Sequence, residues 1–331
     1  MENFRKVALA LILLILTLGI VVSVNLAIML DYREPYLNSY LASILDKEEL
    51  LKKSTSPKII LVGGSNVAFG LDSRLISEKT GLPVVNAGIQ GGLGIHFIMN
   101  SIKDNVEPGD ILILSPEYHI LLDSFKNAEI LTDLLILYPQ GFSSISTLKE
   151  VWEINKVLPA IHTDIVRNNL EIQLTHAPTP TPSLLNEKVY FRAAFDPETG
   201  DITTNTSDIA IPYTQTYQME QSVPNPDLYA NIRFLNEYAS QMKAKGAQVY
   251  FLFPAIITIE DEETQIKLQK LNEILAQDLD MPLLNSWDEA QYPSVMIFDT
   301  AYHLNSQGRE IHTLKLINEI CGANSDLDCE Q

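Results

Sequence analysis

The fold is decided by the stretch KIILVGGSNVAFGLD, residues 58–72. Its first part, 59–62, is wholly apolar, which is the pattern of a strand buried on both faces of a parallel sheet. The strand runs into a Gly-Gly-Ser-Asn turn that contains Ser65. Because ligands of α/β folds bind at the carboxyl ends of parallel strands, Ser65 is a candidate nucleophile. The alternative is a small residue that only closes a strand-helix turn.

Outward from this stretch, predicted strands alternate with predicted helices. Further strands are expected at 83–86, 110–114, 248–253 and 282–284, and helices at 73–80, 95–105, 227–245, 262–278 and 306–320. Strands separated by helix-length segments pair in parallel through right-handed crossovers. The sequence therefore predicts an α/β fold, a three-layer sandwich around a roughly five-stranded parallel sheet.

The chain divides into four predicted parts. These are a cytoplasmic tip and transmembrane anchor at 1–30, a stalk with a short helix at 31–57, the α/β domain at 58–320 and a tail at 321–331.

The strand-helix alternation breaks between about 119 and 226, where helices are expected only around 124–138 and 146–155. This segment also contains a Pro/Thr-rich piece, 176–186, and a polar stretch, 196–207. We interpret it as an insertion over the crevice, either surface decoration or a lid that binds substrate.

The N-terminal run 7–30 has no charged residue, and about 24 helical residues are enough to cross a bilayer core of about 30 Å. Arg5 and Lys6 precede the run, and Asp31, Arg33 and Glu34 follow it. This charge order predicts a single-pass membrane protein with an extracytoplasmic C-terminal domain. A cleaved signal peptide is the alternative, but its apolar region is shorter and ends in a small-x-small site.

Composition excludes several classes of function. Lys and Arg total 23 against 42 Asp and Glu, for a formal net charge of −19. A domain with this much negative charge repels phosphate backbones. Nucleic acid is therefore not an expected partner. The phosphate-loop and dinucleotide-binding glycine patterns are both missing from the Ser65 turn, so we expect no cofactor.

The two cysteines of the chain, Cys321 and Cys329, lie in the tail CGANSDLDC. An oxidising exterior permits them to form a disulfide, and two unpaired thiols are the alternative. Two cysteines without a neighbouring histidine are a poor metal site, so no metal is predicted.

A base for Ser65 is offered by the segment FDTAYHLNSQGR, residues 298–309. His303 precedes the last predicted helix, and Asp299 is the nearest carboxylate. A turn at this point directs the imidazole across the sheet edge toward Ser65, and Asp299 would orient the ring and stabilise the imidazolium. An ordinary cap or turn residue is the alternative for Asp299.

Other residues at the same sheet edge are candidates for binding the reacting group. Gly88, in the glycine-rich stretch after the second strand, is a candidate oxyanion donor through its amide, and simple turn geometry is its alternative. Glu117 and Tyr118 follow the third strand and are candidate substrate contacts. His119 projects beside them and is a further candidate contact, with a surface or packed residue as its alternative. Four other histidines are expected to be structural or exposed: His96, His162, His176 and His312.

Taken together, these motifs resemble the SGNH (GDSL-like) hydrolase superfamily. The matching blocks are Gly64-Ser65-Asn66, Asn86-Ala87-Gly88, and His303-Leu304-Asn305 with Gly308, and the resemblance covers about residues 58–320 outside the insertion. The stretch 115–118, Ser-Pro-Glu-Tyr, is similar to membrane-anchored members such as the D-alanyl-lipoteichoic acid transfer protein. Those members act beside membrane-bound O-acyltransferases in decorating polymers of the cell envelope.

The resemblance implies an SGNH/flavodoxin-like sheet and an acyl-enzyme mechanism. Ser65 attacks an ester, His303 moves the proton, and the amides of Ser65 and Gly88 hold the oxyanion. The expected activity is that of an esterase or O-acyltransferase acting on acylated envelope or exported polysaccharide, with a membrane-bound O-acyltransferase as a possible partner.

The sequence departs from the family pattern at two places. Asp299 stands four positions before His303 where the family has three, and the Gly-x-Asn-Asp block after the third strand is missing. Asn66 or Tyr118 is then the candidate replacement donor. The same departures favour the alternative of a non-catalytic carbohydrate-binding or scaffold subunit. A periplasmic ligand receptor is a third reading, without a duplicated lobe in the sequence to support it.

Overall fold

The computed structural model describes residues 2–31, 36–123, 127–145, 189–205 and 215–324, with isolated positions between 148 and 167 and at 327 and 329. The strands of these residues are β1 (Ile59–Gly63), β2 (Val84–Asn86), β3 (Ile111–Ser115), β4 (Gln248–Phe251), β5 (Ile256–Ile257) and β6 (Gln291–Tyr292). The helices are α1 (Glu2–Asp31), α2 (Ser43–Lys53), α3 (Ser65–Gly70), α4 (Ser73–Thr80), α5 (Ile95–Ile102), α6 (Tyr118–Leu121), α7 (Ala128–Leu137), α8 (Pro226–Ala244), α9 (Glu262–Asp278) and α10 (Ser306–Ala323).

The main sheet has four parallel strands in the order β2-β1-β3-β4. In the centre Ile59 pairs with Ile111 and Gly63 with Ser115, so β1 and β3 end at the same level. Every residue of β1 and β3 is buried, as an apolar strand between two helical layers must be. The α/β class and the parallel sheet are thus confirmed, and the strand order is consistent with a flavodoxin-like fold.

The fifth predicted strand, at 282–284, is reduced to a single parallel bridge between Leu283 and Phe251. Phe251 donates to Pro282 O at 2.9 Å and accepts from Leu284 N at 2.8 Å. Pro282 has no N–H, so the ladder cannot extend in that direction. A separate pair, β5 and β6, was not predicted because each strand has only two residues.

The predicted helices agree with the observed ones. Helices α4 and α9 have the predicted bounds, α8 begins one residue earlier, and α10 runs three residues further. Side chains at the N-caps explain the starts: Asp72, Asn225, Asp261 and Asn305 each accept a backbone N–H of the first turn.

The structure does not support the transmembrane helix predicted for the N-terminal segment. Within the part of the chain that is described, no helix has the length and apolar character that crossing a membrane requires, so the predicted span is unsupported.

The predicted stalk also packs into the body from Tyr36 onward. Tyr40, Leu41, Ile44 and Leu51 belong to the hydrophobic core. Buried Lys47 donates to Asn86 O at 2.8 Å and to Gly200 O at 2.6 Å. The sequence pattern missed this packing because charged residues of α2 mask its narrow apolar face.

Within the predicted insertion, helix α7 lies inside the predicted range 124–138. Half of 146–155 lies outside the described residues, and its described positions, 148 and 151–154, are helical as predicted, whereas all of 176–186 lies outside. The polar stretch starting at 196 is partly buried: Asp201 accepts from Ser73 N at 2.8 Å and from Asn86 Nδ2 at 2.8 Å. These bonds tie the segment to β2 and α4, so it is more than surface decoration. In the tail, a disulfide joins Cys321 and Cys329, the first of the two alternatives that the sequence left open.

Candidate active site

Ser65 lies at the carboxyl end of β1, as the sequence predicts. The strand ends at Gly63, Gly64 is extended with φ −82° and ψ −153°, and Ser65 is the first residue of α3. A β-carbon at Gly63 would lie 2.3 Å from Ser115 O, so only glycine lets the turn pass β3 this closely. The result is a half-buried hydroxyl above the central strands.

The structure brings His303 to this hydroxyl. His303 lies in a loop closed by the antiparallel bridge between Ile297 and Leu304, just before the cap of α10. Its Nε2 is 2.8 Å from Ser65 Oγ, across 238 positions of sequence. This distance agrees with the expectation that the two groups meet at one edge of the sheet. Their catalytic roles remain predictions.

Asp299 reaches His303 in spite of the four-residue spacing. Its Oδ1 is 2.7 Å from His303 Nδ1. The turn between them, in which His303 N donates to Thr300 O at 3.2 Å, shortens the path enough for the contact. Burial opposes ionisation of Asp299, but hydrogen bonds from His303 and Tyr190 and the charge of His303 hold its pKa below the ordinary value.

Two residues that the sequence analysis missed hold this pair. The Tyr190 hydroxyl donates to Asp299 Oδ2 and lies 3.2 Å from His303 Nδ1. Burial and the Asp299 carboxylate raise the pKa of Tyr190 above its ordinary value. The Phe69 ring stacks on the His303 ring with centroids 3.9 Å apart. Phe69 follows Ser65 by four residues on α3, the helical spacing that could have indicated it.

The predicted oxyanion donor Gly88 is engaged elsewhere. Its N–H donates to Asn86 Oδ1 at 2.9 Å. A β-carbon there would lie 2.6 Å from Ala68 N, so the glycine lets the 86–88 loop pack against α3. The prediction of a free amide at Gly88 is therefore wrong in this structure.

The two candidate replacement donors also point away from the site. Asn66 Nδ2 donates to Ser115 O at 3.0 Å and to Ser115 Oγ at 3.2 Å, which directs the amide into the core. Tyr118 is fully buried, with its ring near those of Phe253 and Tyr302. Neither side chain is placed to contact a substrate.

Glu117, by contrast, is at the centre of the site. Its Oε1 is 3.0 Å from Ser65 Oγ and accepts Asn66 N–H at 3.0 Å. Its Oε2 is 3.3 Å from His119 Nε2. Glu117 was predicted to contact substrate, and the structure places its carboxylate against the Ser65 hydroxyl.

These groups line one cavity of about 450 Å³. Its wall contains Ser65, His303 and three tyrosines, and no lysine or arginine among the residues that the structure describes. The lining residues are Tyr40, Leu41, Ser65, Gln90, Glu117, His119, Tyr190, Thr300, Tyr302 and His303. A cavity of this size is within the range of small-molecule sites. Tyr40 and Tyr190 come from the predicted stalk and the predicted insertion, so both segments help to form the site.

Of the other histidines that the structure describes, His119 lines this cavity, whereas His96 and His312 do not. His312 is buried in α10 with Nδ1 2.9 Å from Tyr292 OH, and His96 packs on Phe234. His162 and His176 lie outside the described residues.

Over the described residues, no group of three metal-ligating side chains is present. Comparisons of the chain with family models, with curated proteins and with solved structures find no match. The case for a function therefore depends on the geometry of the site and on the sequence motifs.

Proposed function

We propose that this protein is a serine esterase or O-acyltransferase of SGNH type that acts on acylated cell-envelope or exported polysaccharide. The observation that carries the proposal is the chain of contacts from Ser65 Oγ to His303 Nε2, 2.8 Å, and from His303 Nδ1 to Asp299 Oδ1, 2.7 Å. A hydroxyl, an imidazole and a carboxylate in this order form the arrangement that activates serine for acyl transfer.

In the first half of the reaction, Ser65 Oγ attacks the ester carbonyl while its proton passes to His303 Nε2. The electron pair of the C=O bond moves to the oxygen, and the Ser65 amide at the first turn of α3 is the donor that the family pattern assigns to it. When the C=O bond re-forms, the bond to the leaving oxygen breaks and His303 gives that oxygen its proton. Asp299 stabilises the imidazolium during these steps.

In the second half, water or a sugar hydroxyl attacks the acyl-Ser65 ester. His303 takes the proton of the attacking group and returns it to Ser65 Oγ as that oxygen leaves. Whether hydrolysis or transfer dominates depends on how well water is excluded from the cavity. The rings of Tyr40 and Tyr190, contributed by segments outside the central sheet, are suited to that exclusion.

The proposed location is a membrane-anchored, extracytoplasmic domain. No described helix has the length and apolar character of a span, so support comes from the charge-free run 7–30 of the sequence and from its exposed apolar side chains, among them Leu9, Leu14 and Ile15. Such a row of exposed leucine and isoleucine is unfavourable in water. The Cys321–Cys329 disulfide is consistent with an oxidising exterior, and a membrane-bound O-acyltransferase is the proposed partner.

The proposal is tested with the full chain purified in detergent. We expect turnover of p-nitrophenyl acetate by the wild type and none above background by Ser65→Ala, because that variant lacks the nucleophile. Wild-type turnover that persists in Ser65→Ala would contradict the assignment.

A second function, a non-catalytic carbohydrate-binding or scaffold subunit, is favoured by one specific observation. The Gly88 amide donates to Asn86 and is not directed at the site, so the oxyanion has fewer donors than the family pattern provides. Under this alternative the wild type shows no turnover, and polysaccharide binding survives in the Ser65→Ala, His303→Asn double variant.

A further inference from the structure

The carboxyl group of Glu117 lies in a space shaped to receive it. Glu117 is only 2% exposed, directly after β3 and Pro116. A β-carbon at Gly64 would lie 2.7 Å from Glu117 Oε1, and one at Gly91 would lie 2.2 Å from Oε2. Two glycines on different loops therefore leave room for this carboxyl group beside Ser65, and any larger residue would displace it.

Ser65 Oγ has two hydrogen-bond partners, but its hydroxyl has only one proton to donate. Glu117 Oε1 is 3.0 Å away and His303 Nε2 is 2.8 Å away, but a hydroxyl donates only once. Glu117 Oε1 also receives Asn66 N–H, so this oxygen acts as an acceptor. If Ser65 donates to Glu117, then His303 Nε2 donates to Ser65.

The other side of the ring leads to the same protonation state. His303 Nδ1 faces the Asp299 carboxylate at 2.7 Å, so this nitrogen is also a donor. A ring that donates from both nitrogens is the imidazolium form. Two carboxylates, one at each end, then balance the charge of His303.

We propose that Glu117 is a fourth residue of the catalytic set, which holds the Ser65 hydroxyl and stabilises protonated His303 in the resting site. The nucleophile forms when His303 loses its Nε2 proton to solvent and the Ser65 hydroxyl turns from Glu117 to the free nitrogen. This inference rests on the proposed function, because it takes Ser65 as the nucleophile.

Other titratable groups face this set from every element packed against it. Asp299 lies in the same loop as His303, Tyr190 comes from the segment 189–205, Tyr40 precedes α2, and His119 and Tyr302 flank Glu117. Burial first, and then the charges of Glu117 and Asp299, raise the pKa of Tyr40 above its ordinary value, which keeps this phenol neutral. Glu117 and Asp299 are thus the negative groups placed to affect His303.

The test is the variant Glu117→Gln, which removes the charge but keeps the size and an acceptor for Ser65 and Asn66. An opposite charge within about 4–6 Å favours the charged form of its neighbour by about one pH unit or more. We therefore expect His303 to lose its proton about one unit lower in pH in the variant, as followed by imidazole NMR of the full chain in detergent. The acid limb of kcat/KM should move in the same direction.

The matched control is Glu310→Gln, which makes the same charge change at an exposed position on α10 and should leave both readouts unmoved. The His303 signal is assigned by its loss in His303→Asn. If Glu117→Gln does not fold, Glu117→Asp, which draws the carboxylate back from Ser65, should move the acid limb of kcat/KM in the same direction by a smaller amount.

The two proposals fail in different ways. An active wild type whose acid limb of kcat/KM lies at the same pH in Glu117→Gln would overturn the role of Glu117 alone. A wild type without Ser65-dependent turnover would overturn the proposed function and with it the catalytic role of Glu117.

Discussion

Two histidines in the C-terminal part of the chain, His303 and His312, are each only 4% exposed and yet have opposite surroundings. His303 lies between the Asp299 carboxylate and Ser65 Oγ, with Phe69 stacked on its ring. His312 faces the hydroxyl of Tyr292 at 2.9 Å.

The difference is visible in protonation. Burial, followed by the charge of Lys315, lowers the pKa of His312 to about 3, so this ring is neutral and structural. His303, equally buried, has a carboxylate that stabilises its charged form and a hydroxyl that can give it a proton. Partners, and not burial, therefore distinguish a candidate base from a core histidine.

The largest expected effect separates the two residues directly. His303→Asn should lower turnover of p-nitrophenyl acetate by a factor on the order of 10⁴ or more, since the variant has no base for Ser65. His312→Asn should leave kcat/KM near the wild-type value once folded protein is compared. Equal losses of turnover in both variants would contradict the claim that His303, and not His312, is the base.

The next effect concerns the carboxylate that distinguishes His303. Asp299→Asn should lower kcat by a factor of about 10³ to 10⁴, because an amide favours the wrong tautomer of the ring and cannot stabilise the imidazolium. Steady-state kinetics of the full chain measures this. A loss below tenfold would show that the four-residue spacing leaves Asp299 without an orienting role.

The pH dependence of stability tests whether His312 is a neutral, structural residue. His312 has a lower pKa in the folded than in the unfolded state, so the unfolded state binds more protons and stability rises with pH between about 3 and 6.5. This residue alone should make the protein about 2 kcal/mol less stable at pH 5 than at pH 7.

Urea unfolding at several pH values measures this contribution. The variant His312→Gln cannot titrate, so its free energy of unfolding should depend on pH less steeply than that of the wild type. Parallel curves for the two proteins would contradict a neutral, structural His312.

The smallest effect is expected at Tyr190. Tyr190→Phe removes the hydrogen bond to Asp299 Oδ2 and should lower kcat/KM about tenfold, in keeping with one hydrogen bond to a charged group. Tyr250→Phe is the control, since it loses a hydrogen bond of 2.8 Å to Gln248, outside the residues that line the cavity. An equal effect in both variants would mean that Tyr190 acts only through stability.

Much of the central sheet could be predicted because all of β1 and the first four residues of β3 are apolar, which is the pattern of strands buried on both faces. The same topology placed Ser65 at the carboxyl end of β1 and His303 in the turn before the last helix, and the two groups meet there. The short pair β5 and β6 and the single bridge at Leu283 could not be predicted, because two residues or fewer carry no periodic signal.

The rest of the site depends on directions that sequence does not record. Whether the Gly88 amide is free depends on which way the Asn86 side chain turns, and Asn66 and Tyr118 point into the core for the same kind of reason. Tyr190 comes from a segment without regular pattern, and its contact with Asp299 joins positions 109 residues apart.

The central claim, that His303 activates Ser65 as a nucleophile, is tested most directly by covalent labelling. The full chain is treated with a fluorophosphonate, and the rate and position of the adduct are followed by mass spectrometry in the wild type, His303→Asn and His312→Asn. We predict a single adduct at Ser65, formed at similar rates in the wild type and His312→Asn and far more slowly in His303→Asn. An adduct at another residue, or a Ser65 adduct that forms equally fast without His303, would contradict the claim.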